Sequence, residues 1–410
     1  MIPGSPEYRR TQRADLLRFA AGSCSPAGFG YLNAAGEIDP GEPTPLYVVC
    51  RMTHVFALGS LAGEEPAPGG PDSAELADLT HHGVTALLDG PLRDTQDGGW
   101  YAAIQPAGTP ISAKEAYGHA FVLLAASSAL AVDIPRAEEL LDAASAVIEE
   151  RFWDEAAGMM VDEWDRHFTV LADYRGANAN MHSLEAFLAC GDVTGVRHWH
   201  ERAARIAARV RRWAEEYHWR VPEHAGPDYR PNPELHRERP ADPFKPFGAT
   251  VGHGMEWARL LLALDQTLGS EAPAGLVDAA IALNDRAVAD GWGADGGPGF
   301  VYTTDWQGAP VVRSRMHWVL AEAICTATAL HRRTEEERYA RDLQRWWDYA
   351  DTYLIDHDLG SWHHELDPTN APAHATWSGK PDVYHAYQAA LIADVPTVPC
   401  FAAALAQRAS

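Results

Sequence analysis

Residues 250–268 read TVGHGMEWARLLLALDQTL, and this stretch decides the fold. From Gly254 onward its apolar residues recur at helical spacing on nearly every side, a pattern typical of a buried helix. The groups with chemistry to offer, His253 and Glu256, stand where the apolar run begins. The stretch therefore predicts an inner helix that carries its functional polar groups at one end.

Helices of two kinds alternate along the rest of the chain. Runs that are apolar on nearly all sides lie at 317–330 and 382–393, and amphipathic runs lie at 198–216 and 334–354. We expect the first kind in an inner layer and the second kind in an outer layer. Short glycine and aromatic segments, which predict a turn and a short strand, recur at 26–33, 96–104, 156–164, 217–223, 297–306 and 359–367.

These segments recur about every 60 residues, a spacing longer than that of solenoid units of about 20–50 residues. Such a spacing fits a hairpin of one inner and one outer helix with its loops. Six hairpins predict an all-α fold, a single (α/α)6 barrel spanning residues 1–410, with short β-turn and strand loops at the mouth of its cavity. The alternative is an open helical solenoid, but no terminal unit has the polar cap that an open array needs.

Composition excludes several classes of protein. The 410 residues carry 33 Lys and Arg against 57 Asp and Glu, a net charge of −24, which excludes a general nucleic-acid or anionic-membrane binder. No stretch approaches the roughly 18 apolar residues of a membrane span. The amino-terminal residues lack the apolar region of a secretory signal, and the 5 cysteines form no CxxC pair. We therefore expect a cytoplasmic protein without a disulfide framework or a metal cluster.

Histidines gather at the predicted starts of the inner helices. A single buried histidine is usually a satisfied core residue, but several at equivalent points of a repeat predict one polar rim. Tryptophans lie in or near the same segments, and an aromatic face can stack on a sugar ring whose hydroxyls histidine can bind. The rim residues are Arg51, His54, His119, His182, His253, His317 and His385, with Trp306, Trp318, Trp362 and Trp377 nearby.

Five motifs resemble the N-acylglucosamine 2-epimerase superfamily, and within it they look most like the mannose isomerase branch. They are RMTHVFALG (51–59), FGATVGHGMEWARLLL (247–262), RMHWVLAEAI (315–324), SWHHELDPTN (361–370) and WSGKPDVYHAYQA (377–389). The resemblance covers the chain from about Arg51 to Gln388. It implies an (α/α)6 barrel, which agrees with the hairpin count.

The resemblance also implies an activity. We expect an aldose–ketose isomerase that interconverts D-mannose and D-fructose, with D-lyxose and D-xylulose as a second pair, by proton transfer through a cis-enediolate. The substrate is a monosaccharide, and no metal or other cofactor is expected. A 2-epimerase of glucose or mannose, an N-acylglucosamine or cellobiose is the alternative, and a non-catalytic sugar-binding toroid is a distant one. A glycoside hydrolase is disfavoured because histidines rather than paired carboxylates dominate the rim.

Catalytic roles follow from the same resemblance. His253 and His385 are implied as the acid/base pair, and histidine suits this task because its ordinary pKa is about 6.5. We assign the C2 proton to His385 and the C1 side to His253. Glu256 is implied to bind hydroxyls and support His253, although a buried carboxylate of the first helical turns is the alternative. Arg51 is a candidate for stabilising the enediolate.

The remaining site residues are expected to bind the sugar. Asn178 and His182 stand four residues apart, hence on one helix face. Trp318 is a stacking candidate, and for Gln388 core hydrogen bonding is an equal alternative. The implied set is Asn178, His182, His317, Trp318, Gln388 and Tyr117. A metal site at 363–365 is disfavoured because adjacent strand residues point to opposite faces.

One loop is longer than the repeat requires. Residues 222–252, the 222–252 loop, are rich in proline, arginine and histidine and precede His253. Long loops of this kind are often lids over active sites, so we expect an active-site lid, with a rigid surface excursion as the alternative. The sequence leaves open whether the protein is a monomer or a homodimer.

Overall fold

Helices dominate the computed structural model, which describes residues 1–409. Two helices, α5 and α11, continue into π-helical turns, Ile148–Phe152 and Ala350–Leu354, and Gly269–Glu271 and Ile392–Asp394 are 3₁₀ turns. The α-helices are α1 (Pro6–Ala21), α2 (Leu46–Ala62), α3 (Ser73–Asp89), α4 (Ala116–Ala131), α5 (Ala137–Val147), α6 (Ala177–Thr194), α7 (His198–Glu216), α8 (Val251–Leu268), α9 (Leu276–Gly291), α10 (His317–Thr334), α11 (Glu337–Tyr349), α12 (Tyr384–Leu391) and α13 (Phe401–Ala409).

The strands are two or three residues long and lie between the helices. They are β1 (Cys24–Ser25), β2 (Gly28–Phe29), β3 (Thr44–Pro45), β4 (Ala103–Ile104), β5 (Pro110–Ile111), β6 (Lys114–Glu115), β7 (Trp153–Asp154), β8 (Met159–Met160), β9 (Glu163–Trp164), β10 (Arg175–Gly176), β11 (His224–Ala225), β12 (Ala249–Thr250), β13 (Thr303–Thr304), β14 (Pro310–Val312), β15 (Arg315–Met316), β16 (Ile355–Asp356), β17 (Ser361–Trp362) and β18 (Glu365–Leu366). Five of the six predicted turn-and-strand segments contain such a strand, but 217–223 forms a turn and extended chain, and β11 begins only after it.

Backbone contacts divide the chain into two compact units. The first unit comprises Ala14–Ile206, Lys380–Tyr384 and the segment from Pro399 on. The second unit comprises Met1–Arg13, Ala207–Gly379 and His385–Val398. The single domain expected from the sequence stays a prediction.

In the first unit, helices α2, α4 and α6 form the buried layer. Helix α4 packs against both α2 and α6, while α3 packs on α2, α5 packs on α4, and α13 contacts all three buried helices. Helix α4 is apolar from Ala120 to Ala126 and buried throughout that run, as the absence of a polar face requires. Helix α3 is amphipathic, and Asp72 and Glu75 form a capping box at its start.

In the second unit, α8 and α10 pack against each other, and α9 and α11 pack on their outer sides. Helix α8 is buried from Val251 to Leu262 without interruption. Helix α11 is amphipathic and buries only its large aromatic residues, Tyr339, Trp346, Trp347 and Tyr349. The prediction of apolar inner helices and amphipathic outer helices is confirmed within each unit.

Most inner helices begin directly after a strand. Strands β3, β6, β10, β12 and β15 run without a gap into α2, α4, α6, α8 and α10, and each cap residue keeps an extended backbone. In the second unit, β12 pairs with β13, and β15 pairs with β18. These pairings hold the first helical turns of α8 and α10, where the predicted site residues lie. Within residues 1–409, no helix combines the length and apolarity that crossing a bilayer requires.

Candidate active site

His253 lies in the first turn of α8, in the second unit. Its Nδ1 atom is 2.8 Å from Oε2 of Glu223, a residue that precedes β11 and is only 4% exposed. A carboxylate only accepts hydrogen bonds, so this contact keeps a proton on Nδ1 of His253. In the neutral imidazole, Nε2 is then the basic nitrogen.

His385 has the same kind of partner in the same unit. Its Nδ1 atom lies 3.0 Å from Oε1 of Glu322, a fully buried residue of α10. The other carboxylate oxygen of Glu322 accepts a hydrogen bond from Nε of Arg259, on α8, at 3.0 Å. His385 is therefore also held with its proton on Nδ1 and with Nε2 as the basic nitrogen.

One indole brings the two histidines together. The ring centroid of Trp318 lies 5.0 Å from that of His253 and 5.8 Å from that of His385, with interplanar angles of 37° and 36°. Trp318 is half-buried among neighbours that are fully buried. The structure therefore places both predicted acid/base residues against the predicted stacking residue. Contact of this indole with a sugar stays a prediction.

Three further predicted residues lie in the second unit. Glu256, 1% exposed, follows His253 by one turn, and its Oε1 atom lies 3.8 Å from Arg259. The ring of His317 stacks on that of His364 at 3.8 Å and meets His385 edge-on at 6.3 Å. Gln388 is fully buried one turn after His385 on α12. The sugar contacts predicted for Glu256, His317 and Gln388 stay predictions.

Arg51 is the centre of a polar cluster in the first unit. Its guanidinium donates to Oδ2 of Asp382 at 3.1 Å and to the hydroxyl of Tyr117 at 2.9 Å. The rings of Phe121 and Tyr384 lie 4.6 and 4.9 Å from its central carbon. Burial by itself lowers the pKa of Arg51, but Tyr117, Asp382 and Tyr384 together hold that pKa above its ordinary value. Arg51 is therefore a permanent, oriented cation.

His182 and Asn178 also lie in the first unit, one turn apart on α6. The ring of His182 packs against Tyr117 at 5.3 Å, and its Nδ1 atom lies 3.4 Å from Oε2 of Glu185. The hydroxyl of Tyr384 donates to the same oxygen of Glu185. Oδ1 of Asn178 is buried and has no hydrogen-bond partner among the described residues. It is thus an acceptor suited to a hydroxyl group.

Two of the predicted rim histidines are core residues instead. Nε2 of His119 accepts from the backbone N–H of Trp100 at 3.1 Å, and its Nδ1–H donates to the carbonyl of Glu115 at 2.7 Å. Burial lowers the pKa of His119 to about 3 and that of His54, which bonds to Ser128, to about 4. The prediction was wrong for these two histidines, because their rings are buried in the first unit and form hydrogen bonds to other protein groups.

The tryptophans predicted near the rim have different neighbours. Trp362 is fully buried in the core of the second unit. Trp306 donates its indole N–H to the carbonyl of Pro233 at 2.9 Å, and Trp377 meets Phe244 edge-on at 5.0 Å. Pro233 and Phe244 belong to the 222–252 loop, so two of these tryptophans hold that loop.

Two histidines within the 222–252 loop form hydrogen bonds to its backbone. Nε2 of His224 contacts the carbonyl of Pro246 at 2.8 Å, and Nδ1 of His236 contacts the carbonyl of Lys245 at 2.6 Å. These bonds join the beginning of the loop, where Glu223 lies, to its later part. Closure of the loop over a substrate stays a prediction.

Sequence reasoning missed the carboxylates that orient the histidines. Glu322 and Glu185 each stand in an otherwise apolar helical run, and an acidic residue is almost never fully buried without a partner, so the signal was present. Glu223 stands in a polar loop and gave no local signal. These three residues join the candidate site.

Comparisons with known proteins agree with the family resemblance of the sequence motifs. The sequence model of the family described as N-acylglucosamine 2-epimerase (GlcNAc 2-epimerase) matches residues 28–389. The chain is 50% identical to a D-mannose isomerase of Thermobifida fusca over 395 residues, 95% of this chain and 94% of that protein. It is 42% identical to a D-mannose isomerase of Pseudomonas cannabina pv. alisalensis over 98% of this chain and 96% of that protein.

A solved structure agrees with these likenesses. The chain resembles a crystal structure of D-mannose isomerase with a TM-score of 0.86 at 26% identity, over 95% of this chain and 97% of that one. The predicted fold class, an all-α (α/α)6 barrel, is thereby confirmed.

Proposed function

Because the chain belongs to the N-acylglucosamine 2-epimerase family, we infer that it is an aldose–ketose isomerase that interconverts D-mannose and D-fructose. The observation that carries this function is the pair of carboxylate-bound histidines, His253 and His385, against the indole of Trp318. The 50% identity to a D-mannose isomerase supports the choice of sugar.

The reaction needs a base, an acid and a group that stabilises negative charge. The C2–H bond of the open-chain aldose breaks, its electron pair becomes the C1–C2 double bond, and O1 receives a proton. The proton of the O2 hydroxyl then leaves, C2 becomes a carbonyl, and C1 receives a proton. A neutral imidazole with a basic Nε2 atom can take and return such protons near pH 7.

Within this reaction, the two histidines have separate tasks. His385 removes the proton from C2 and, after exchange with the solvent, delivers a proton to C1, while His253 handles the protons on the oxygens at the C1 side. Arg51 stabilises the enediolate, since a permanent cation with fixed donors suits a developing oxyanion. Glu256 supports His253 and binds hydroxyls.

The sugar is held by the remaining predicted residues. Asn178, His182 and Tyr117 bind hydroxyls, and the buried acceptor Oδ1 of Asn178 supports this role. Trp318 stacks on the C–H face of the sugar, and its partial exposure supports that role. His317 and Gln388 complete the binding set, and D-lyxose with D-xylulose forms the second substrate pair.

Incubation of the purified protein with D-mannose in deuterated water tests the function. D-Fructose carrying deuterium at C1 is the expected product, identified by NMR. D-Glucose labelled at C2 as the sole product would instead establish a 2-epimerase, which must reprotonate C2 on the opposite face. Absence of any product from mannose, lyxose, glucose, cellobiose and N-acylglucosamine would overturn both enzymatic functions.

Matched histidine variants test the assigned roles in the same assay. His385→Asn and His253→Asn each lower kcat by at least about 10²-fold, the usual cost of removing an acid/base group. His357→Gln serves as the control, because that side chain is 58% exposed and contacts Asp351. A near-native kcat in His385→Asn or His253→Asn removes that histidine from the mechanism.

The chemistry proceeds through protein groups without a metal ion or another cofactor. Full activity after dialysis against a strong chelator is the expected result, and activity lost there and restored by one metal ion would overturn it. The protein works in the cytoplasm as a monomer or a homodimer. Cell fractionation tests the compartment, and light scattering of the purified protein tests the oligomeric state.

A further inference from the structure

A chain of three side chains ends on His385 in the second unit. Nε of Arg259 donates to Oε2 of Glu322 at 3.0 Å, and Oε1 of Glu322 faces Nδ1 of His385 at 3.0 Å. Arg259 belongs to α8, Glu322 to α10 and His385 to α12. The side chains of Glu322 and Arg259 are 0% and 8% exposed, so water does not compete for these contacts.

We propose that Glu322 is the positioning residue of His385 and that Arg259, by binding one carboxylate oxygen of Glu322, determines which oxygen His385 meets. The carboxylate keeps the proton on Nδ1 of His385 and makes Nε2 the basic nitrogen, which takes the proton from C2. Arg259 occupies the far oxygen, so the near oxygen is the one that His385 meets. This inference rests on the proposed function for the role of His385, but the imidazole tautomer can be measured without any turnover.

Arg259 makes the effect of one substitution predictable. In Glu322→Gln, the amide has one oxygen and one NH2 group, and Arg259 can only donate, so the oxygen turns toward Arg259. The NH2 group then faces Nδ1 of His385. That nitrogen must become an acceptor, so the proton moves to Nε2, and the base that the reaction needs is lost.

Other charged and titratable groups surround the same imidazole. His317 on α10 meets it edge-on at 6.3 Å, and Trp318 separates it from His253 on α8. Oε1 of Glu256 lies 3.8 Å from Nη2 of Arg259. Since Glu256 also borders Arg259, each experiment that changes Arg259 needs the single Arg259 variant as its reference.

The first experiment is ¹⁵N NMR of protein labelled at histidine. The signals of His385 are assigned by their loss in His385→Gln, and each nitrogen is identified as protonated or bare. Wild-type protein shows a protonated Nδ1 and a bare Nε2, and Glu322→Gln shows the reverse. Glu322→Asp keeps a carboxylate and therefore keeps the wild-type tautomer. A wild-type His385 protonated on Nε2 overturns the proposal regardless of how any variant folds.

Kinetics with D-mannose provide the second readout. Glu322→Gln lowers kcat by at least about 10²-fold with little change in KM, because the base is lost while the sugar contacts remain. Glu322→Asp retains more activity than Glu322→Gln. The matched comparison is Glu185→Gln, which changes the carboxylate beside His182 in the binding cluster and acts mainly on KM.

A double variant tests the role of Arg259. In a protein that carries Arg259→Met, the amide introduced by Glu322→Gln can turn its oxygen toward His385. Adding Glu322→Gln to Arg259→Met therefore lowers kcat by a smaller factor than adding it to the wild-type protein. Equal losses in both backgrounds overturn the role of Arg259. A Glu322→Gln protein with the wild-type tautomer and native kcat overturns the whole proposal. Lack of turnover by wild-type protein with every sugar, beside the expected tautomers, instead overturns the proposed function.

Discussion

The Nδ1 atom of His253 lies 2.8 Å from Oε2 of Glu223, although 30 residues separate the two in the chain. Glu223 lies at the start of the 222–252 loop, and His253 lies in the first turn of α8. The loop therefore supplies the group that orients one histidine of the proposed acid/base pair. We expect this contact to give the loop a role in catalysis that does not depend on whether it moves.

Replacing Glu223 tests that role. Glu223→Gln can present its NH2 group to Nδ1 of His253 and so favours a proton on Nε2, the wrong nitrogen for a base. Loss of the orienting carboxylate costs a Ser-His-Asp triad about 10⁴-fold in kcat, and we expect a loss of about 10²- to 10⁴-fold here. Steady-state kinetics on D-mannose measure it. Glu216→Gln, an exposed residue at the end of α7, is the control and keeps native kcat. A native kcat in Glu223→Gln would refute the role.

Arg51 is expected to contribute to both stability and activity. Arg51→Met removes the cation beside the buried carboxylate of Asp382, and breaking a buried ion pair in this way costs about 3–5 kcal/mol in the free energy of unfolding. Arg51→Lys keeps the charge but not the fork that also reaches Tyr117, so it costs less stability. Urea unfolding of the three proteins checks the order. Equal stability of Arg51→Met and wild type would contradict it.

Stability should fall in mild acid because of two core histidines. Burial lowers the pKa of His54 to about 4 and that of His119 to about 3, below the ordinary value of about 6.5. As the pH falls below 6.5, both histidines become protonated in the unfolded chain but stay neutral in the folded chain. The contribution of the two neutral histidines to the free energy of unfolding is therefore complete above pH 6.5. It is lost as the pH falls toward 4 and 3, by about 2 kcal/mol for each histidine at pH 5.

The variant His119→Gln isolates this effect. It is less stable than wild type at pH 7, because its amide cannot reproduce both bonds of the imidazole. It should nevertheless lose less stability than wild type between pH 7 and pH 5, since carboxylates titrate alike in both proteins. Urea unfolding at the two pH values measures the difference, and parallel losses would count against the assignment.

The lid prediction can be tested at the half-exposed Phe244. This side chain is 49% exposed and meets Trp377 edge-on, so Phe244→Ser weakens the hold on the 222–252 loop without opening the core. If the loop closes over the substrate, KM for D-mannose rises several-fold while the melting temperature changes little. Val170→Ser, at a residue 65% exposed in the first unit, is the matched control. An unchanged KM in Phe244→Ser would favour a rigid excursion.

Much of the fold could be read in the sequence, because helix type is a local property. The run from Gly254 to Leu268 is apolar on nearly all sides, and α8 is buried as that pattern requires. The last inner helix was less predictable. A run at 382–393 was expected, but α12 is the shorter Tyr384–Leu391. Asp382 precedes the helix and accepts a hydrogen bond from the backbone N–H of Tyr384, and after Leu391 the chain continues as the 3₁₀ turn Ile392–Asp394.

Only part of the candidate site could be predicted from the sequence. His253, His385 and Trp318 were predicted, and the structure brings them together. The histidines at 54 and 119 stand at similar points of the repeat but lie in the core. The site histidines differ from the core histidines in the buried neighbours around each ring. The sequence does not reveal those neighbours, because the local pattern of a histidine in an apolar run is the same in both cases.

The sequence by itself determined the order of apolar and amphipathic helices and the residues at the starts of the inner ones, because periodicity and motifs are written in neighbouring positions. Only the tertiary structure decided which carboxylate meets which histidine. Glu322 and His385 are 63 residues apart, and their contact exists because separate helices pack side by side. That packing places a carboxylate on Nδ1 and so selects the imidazole tautomer, with a basic Nε2, that the proposed reaction needs.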